Sequence, residues 1–113
     1  MAHGHHNWYI NMLDTLIDNH RKALNALCKR FHVRRLELFG SATRTDFNPR
    51  LSDLDFLVDF NTGESSYFDD YFGLLEGLEA MFDRPIDLVS IAAADNPFFL
   101  QKIASERELL YAA

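Results

Sequence analysis

The sequence predicts a small α/β or α+β domain in which helices cover a mixed β-sheet. Three observations carry that expectation. Short runs rich in β-formers, Val33–Phe39, Leu54–Phe60 and Ile86–Ser90, alternate with longer stretches whose apolar residues recur at helical spacing. The connections between the runs are too long for two-residue hairpins. The chain has 113 residues, is 48% hydrophobic and carries ten Phe, enough for one domain around one core.

The elements follow in order. From about Asn7 to Phe31 the apolar stripe Leu13, Leu16, Ile17, Leu24, Leu27 and Phe31 predicts an amphipathic helix, with Asp14, Asp18, Lys22 and Asn25 opposite. His20 falls on the apolar stripe and reads as a packed, hydrogen-bonded histidine. Cys28 reads as a small hydrophobe, and Lys29 and Arg30 suit a helix C-terminus. Val33–Phe39 is a strand that ends at Gly40. Ser41 to Thr45 can start a short helix capped by Ser41, and Asp46 to Arg50 is turn-like. Leu54–Phe60 is a second strand, with Asp53, Asp55, Leu57 and Asp59 on one face and Leu54, Phe56, Val58 and Phe60 on the other. Asp59 reads as a solvated charge at the strand end, with an extra metal ligand as the alternative.

After a loop from Asn61 to Ser66, Tyr67 to Phe82 returns to helical spacing, with Phe68, Tyr71, Phe72, Leu75, Leu78 and Phe82 on one side. The aromatics Tyr67, Phe68, Tyr71 and Phe72 are expected in the core. Gly73 and Gly77 weaken the helical reading. Asp83-Arg84-Pro85 ends the helix, and Ile86–Ser90 is the third strand. Asn96-Pro97 marks a last helix start, with Phe98, Phe99, Ile103 and Leu109 or Leu110 facing inward. The segment around Leu110 and Tyr111 is a short strand or a helix end. No internal repeat, low-complexity segment or linker interrupts the chain. Residues 7–113 are read as one domain and residues 1–6 as a disordered or tag-like end, so the histidines at positions 3, 5 and 6 are set aside.

Composition narrows the function classes. A formal charge of −6 argues against duplex nucleic acid as the main partner, which calls for basic patches. A single cysteine allows no internal disulfide and fits a reducing compartment. No apolar run approaches the roughly 20 residues of a membrane span, and no signal-peptide pattern leads the chain. The expected location is the cytoplasm.

One constellation carries chemistry. Gly40-Ser41 closes the first strand, and after an eleven-residue spacer Asp53-Leu54-Asp55 opens the second. Two carboxylates on one face of a strand repel each other unless a cation sits between them. Mg²⁺ takes oxygen ligands, commonly one or two carboxylates plus substrate phosphates. Asp87, isolated between Ile86 and Leu88, can supply a third oxygen donor if its strand lies alongside. Such an acidic edge can hold two metal ions for an in-line displacement at phosphorus. Gly40 allows a phosphate close to the backbone, a helix starting at Ser41 would aim N–H groups at it, and Arg44 lies one turn further on. A lone Gly-Ser is a common turn and a lone Asp-x-Asp a common strand end. The order, the spacing and the third acid together make the pattern much more specific for a functional site than either part alone.

Gly40-Ser41 followed by Asp53-Leu54-Asp55 resembles the signature of the DNA polymerase β nucleotidyltransferase superfamily. Gly-Ser-Ala-Thr-Arg at 40–44, Ser-Asp-Leu-Asp-Phe-Leu-Val at 52–58, Asn96-Pro97-Phe98-Phe99-Leu100 and Leu110-Tyr111 are similar to the minimal nucleotidyltransferases, the MNT proteins. The resemblance runs from the first strand to the end of the chain and implies a minimal nucleotidyltransferase fold. It further implies an antitoxin of a toxin–antitoxin pair that transfers AMP from ATP to a tyrosine of a HEPN-domain ribonuclease toxin. Carried over to this chain, it makes Gly40, Ser41 and Arg44 nucleotide-binding and Asp53, Asp55 and Asp87 both metal-ligating (Mg²⁺, two ions) and catalytic. Members often have Gly after that Arg, where this chain has Thr45. Two other outcomes stay open at this point: neutralisation of the partner by binding alone, and nucleotidyl transfer to a small molecule. For the latter this chain lacks the extra helical domain that such relatives typically carry.

Overall fold

The computed structural model describes residues 15–40, 53–61, 63, 66–92, 96–104 and 107–113. Its elements are α1 (Arg21–Arg30), β1 (Val33–Phe39), β2 (Leu54–Phe60), α2 (Tyr67–Phe82), β3 (Ile86–Ser90), α3 (Pro97–Ile103) and β4 (Glu108–Ala112), with a further helical stretch at residues 15–19. The four strands form one mixed sheet in the order β3-β2-β1-β4. β1 pairs antiparallel with β2 and β4, and β2 pairs parallel with β3. The parallel pair needs a crossover, which α2 supplies. The expected short helix from Ser41 to Thr45, the turn from Asp46 to Arg50 and the chain before residue 15 lie outside the described residues.

Strand alternation sorts the side chains into two layers. Leu54, Phe56, Val58 and Phe60 of β2 join Leu36 and Leu38 of β1 and Leu88 of β3 under α1 and α2. The opposite face is also covered: Phe39, Leu57 and Ile103 form a second cluster, flanked by Val89, Phe99 and Leu100. Here Phe99 of α3 meets Phe39 edge-on, with ring centroids 5.7 Å apart. The cap expected for this helix is present, since the Asn96 side chain accepts a hydrogen bond from the Phe98 N–H at 2.9 Å and Pro97 occupies the first turn. Phe98 is nevertheless turned out to solvent, and of the last pair Leu110 is buried while Leu109 is exposed. The final segment is a strand because β1 has a free edge that its backbone can satisfy.

Two helices depart from the expected pattern. The first is divided at His20, whose φ is −111°. Its ring Nδ1 donates to the Leu16 carbonyl at 2.8 Å, the acceptor a continuous helix would assign to the His20 N–H. The N–H turns instead to the Ile17 carbonyl at 3.0 Å. The histidine is packed as expected, 5.1 Å from the Phe82 ring. Cys28 is fully buried, and desolvation pushes its thiol up to about 12, so it behaves as a small apolar side chain.

The second departure is the face α2 presents to the core. The buried stripe is Asp70, Leu74, Leu78 and Phe82, with Tyr71 and Leu75 packed against the core as expected, while Tyr67, Phe68 and Phe72 are exposed. The cause lies in Gly73 and Gly77. A Cβ at Gly73 would run into the Phe31 ring, and one at Gly77 into Leu27. These glycines let α1 seat directly on α2, so the face containing them is the one that packs, and the larger aromatics are left outside. The helix stays regular through both glycines and ends at Asp83, in the left-handed region (φ 51°), with its N–H bonded to the Glu79 carbonyl at 2.9 Å.

Candidate active site

The sheet register assembles the predicted residues. Phe39 pairs with Asp55, and Asp55 pairs with Asp87. Gly40, the residue after Phe39, therefore abuts Asp55, with Asp87 on its other side one strand over, about 4.8 Å away. The approach of Gly40 is close enough that a Cβ there would collide with Asp55 Oδ2. Gly40 also has φ +77°, a backbone that favours glycine. Sequence reasoning singled out the glycine for phosphate access; the tertiary structure adds that it makes room for a carboxylate.

Asp55 is half-buried, while Asp87 and Asp53 are exposed. Asp53 immediately precedes β2, and extended-chain alternation assigns it the side of Asp55. Among the described residues no three His, Cys, Asp or Glu side chains converge closely enough to hold a metal ion. The expected three-acid metal cluster is thus not drawn together as such. What the register provides is Asp55 and Asp87 abreast, with Asp53 two residues away along the chain. Such an oxygen-donor set suits Mg²⁺ brought in with phosphate oxygens. Ser41 and Arg44 lie outside the described residues.

Asp59 is accounted for otherwise. It lies four residues along β2 from Asp55, roughly 13 Å, and accepts from Arg34 Nε and Nη2 at 2.9 and 2.6 Å. This is an ion pair across β1 and β2, not a metal position.

Two features on or beside this face escaped the sequence reading. Glu37, between Arg35 and Leu38 in sequence, is buried on the face of Phe39 and opposite Leu57. It accepts from Arg35 Nε at 2.8 Å and Arg107 Nε at 2.6 Å. Burial pushes its carboxyl up, but the hydrogen bonds and charges of Arg107 and Arg35 outweigh that and hold it below the usual range. It ties the start of β4 to the strand that ends at Gly40. Its alternation with Arg35 was the available signal, though Arg107 is 70 residues away. The second feature is Tyr71, whose hydroxyl donates to the Leu88 carbonyl at 2.5 Å, one residue from Asp87. Burial, then Tyr67 and the Asp87 charge, raise its phenol, so it stays protonated at neutral pH.

The arrangement is an end of the sheet where two carboxylates meet the side-chain-free backbone of Gly40, floored by the Phe39–Leu57–Ile103 cluster. It can neutralise a polyphosphate through a cation and admit it to the backbone. Comparison with known proteins agrees with that chemistry. The sequence model of the nucleotidyltransferase domain family matches residues 20–110. The chain belongs to that family and is a nucleotidyltransferase. It is 28% identical over 102 residues to a Methanocaldococcus jannaschii protein provisionally named protein adenylyltransferase MJ1379, covering 90% of this chain and 96% of that one. A solved structure provisionally described as a minimal nucleotidyltransferase superposes with a TM-score of 0.68 at 30% identity, over 85% of this chain and 93% of the other. The fold also matches a chain of a tri-AMPylated Shewanella oneidensis HEPN toxin in complex with MNT antitoxin, with a TM-score of 0.59 at 17% identity, over 85% of this chain and 72% of that one. The fold is that of a minimal nucleotidyltransferase. No helix among the described residues is long and apolar enough to cross a membrane.

Proposed function

We propose that this chain is an antitoxin that transfers AMP from ATP to a tyrosine hydroxyl of a HEPN-type ribonuclease toxin in the cytoplasm. The observation that carries the reading is the register that stands Asp55 between Gly40 and Asp87. The adenylyltransferase name of the archaeal relative and the AMPylated toxin of the structural neighbour support the choice of nucleotide and acceptor. Asp53, Asp55 and Asp87 would hold Mg²⁺, and Gly40, Ser41 and Arg44 would hold the phosphates. Bound Mg²⁺ supplies neutralisation of the charge on the triphosphate. The acceptor oxygen attacks the α-phosphorus, the bond to the pyrophosphate oxygen breaks, and pyrophosphate leaves. The exposed Asp87 carboxylate takes the acceptor proton. The chain's contribution is positioning and electrostatics, as in phosphoryl transfer generally.

The test is the intact mass of candidate HEPN-domain proteins from the same genome, after incubation with this chain, ATP and Mg²⁺. Wild type adds one or more AMP units, and Asp53→Ala with Asp55→Ala adds none. Full modification by the double variant would refute the assignment. A second reading, neutralisation by binding alone, is favoured by the exposed rings of α2. Complete toxin silencing by the double variant without ATP would select it.

A further inference from the structure

We propose that the outward face of α2 is the docking surface for the protein that receives the nucleotide, and that this partner offers an apolar hollow rimmed by basic side chains. The inference rests on the transfer reading above and adds where the acceptor protein sits. Phe68 is 66% exposed, Tyr67 51% and Phe72 44%, although each is large and apolar. They form one surface. Phe68 and Phe72 are one helical turn apart with ring centroids at 4.6 Å, Phe72 meets Tyr71 at 5.2 Å, and Tyr71 stacks on Tyr67 at 6.1 Å. The core makes no use of Phe68 and Phe72, because Leu74, Leu78 and Phe82 fill the interior from another stripe, while Tyr67 keeps one edge 5.5 Å from the buried Phe60 ring. Exposed, rigid aromatics of this kind anchor protein interfaces.

Charge selects the occupant. Continuing the Phe68–Phe72 row at helical spacing are Glu76 and Glu79, with Asp69 beside it, all exposed. α2 contains no Lys or Arg, and the chain carries −6 overall. A second copy would bring Asp69, Glu76 and Glu79 against their like, and nucleic acid would be repelled by the same rim. A basic protein surface is attracted by it. Position links the surface to the site. Tyr71 belongs to the patch, and its hydroxyl is anchored on β3, one of the two edge strands, one residue from Asp87. Asp87 alternates with Leu88 and so faces the other side of the sheet, and a partner seated on the rings meets it by reaching round the β3 edge.

The experiment uses the full chain and a HEPN-domain protein from the same genome, with affinity and association rate measured at several salt concentrations. Phe68→Ser with Phe72→Ser is expected to weaken binding at least about 100-fold, with unchanged ATP binding and thermal unfolding. Asp69→Lys with Glu76→Lys is expected to slow association about tenfold at low salt and to flatten the salt dependence. Wild-type affinity in the ring variant overturns the proposal. So does a concentration-dependent dimer of the wild type that the ring variant abolishes, or a loss in that variant of binding to single-stranded RNA with the protein affinity unchanged. Partner binding that depends on the rings but leads to no AMP transfer leaves the docking surface and removes the transfer reading. Transfer that survives with binding unchanged in the ring variant removes only the docking surface. If wild type binds no HEPN protein, both fall.

Discussion

Replacing Gly40 with alanine tests the centre of the site. The residue has φ +77°, where an L-side chain costs about 1–2 kcal/mol. Unfolding entropy of roughly 2.1 cal/mol/K per residue, taken over 113 residues, converts this to a fall in Tm of about 4–8 °C. The new Cβ also collides with Asp55 Oδ2 and lies 3.3 Å from its Cγ, so the carboxylate must rotate or β1 and β2 must part at that end. Moving a positioning group by an ångström costs about 100-fold in rate. Gly40→Ala should therefore lose about 100-fold in AMP transfer and show weaker ATP binding by titration calorimetry in Mg²⁺. The companion Gly40→Asn separates the two effects. Asn tolerates the left-handed backbone but keeps the Cβ, so it should recover part of the stability and none of the activity. If Gly40→Ala binds and transfers nucleotide within twofold of wild type, the apposition of Gly40 and Asp55 is not where the chemistry happens.

Two further perturbations address the scaffold. In an isolated helix Gly→Ala stabilises by about 1 kcal/mol, but Gly73→Ala should destabilise by about 1–3 kcal/mol in urea unfolding, because its methyl meets the Phe31 ring. Gly77→Ala should cost less, since the ends of Leu27 can turn aside. Glu37→Gln should lower stability by about 1–3 kcal/mol at neutral pH, the worth of hydrogen bonds to charged partners. The folded carboxyl of Glu37 lies below its unfolded value, so its stabilisation is present above about pH 4.3 and is lost as the pH falls through the folded value. Denaturation curves from pH 7 down to pH 3 should lose that component of acid sensitivity in the variant.

The elements themselves were legible along the chain. β1, β2, β3 and α2 have the bounds expected from alternation, helical spacing and the breakers at Gly40 and Asp83-Arg84-Pro85. Asn96-Pro97 announced α3 because a cap acts within three residues. The helix break at His20 was not legible, because it turns on which of two donors takes the Leu16 carbonyl. The sequence of β4 suits a strand or a helix end equally, because its conformation is set by the free edge of β1. The expected role of Asp59 as a solvated charge missed Arg34, which reaches it only once the strands pair.

What the sequence nominated by itself was the inventory of the candidate site. Gly40, Asp53, Asp55 and Asp87 could be named because turn and strand preferences are local, and because paired acids on a strand call for a cation wherever the strand lies. Tertiary structure decided the rest. Sheet order made Asp55 the neighbour of both Gly40 and Asp87. The close seat of α1 on Gly73 and Gly77 decided which side of α2 was buried, and so put Phe68 and Phe72 on the surface. Both outcomes depend on contacts between residues far apart in the chain, and the helical period of α2 offers two apolar stripes without ranking them. Packing ranks them, because the stripe with the smallest residues allows the closest approach.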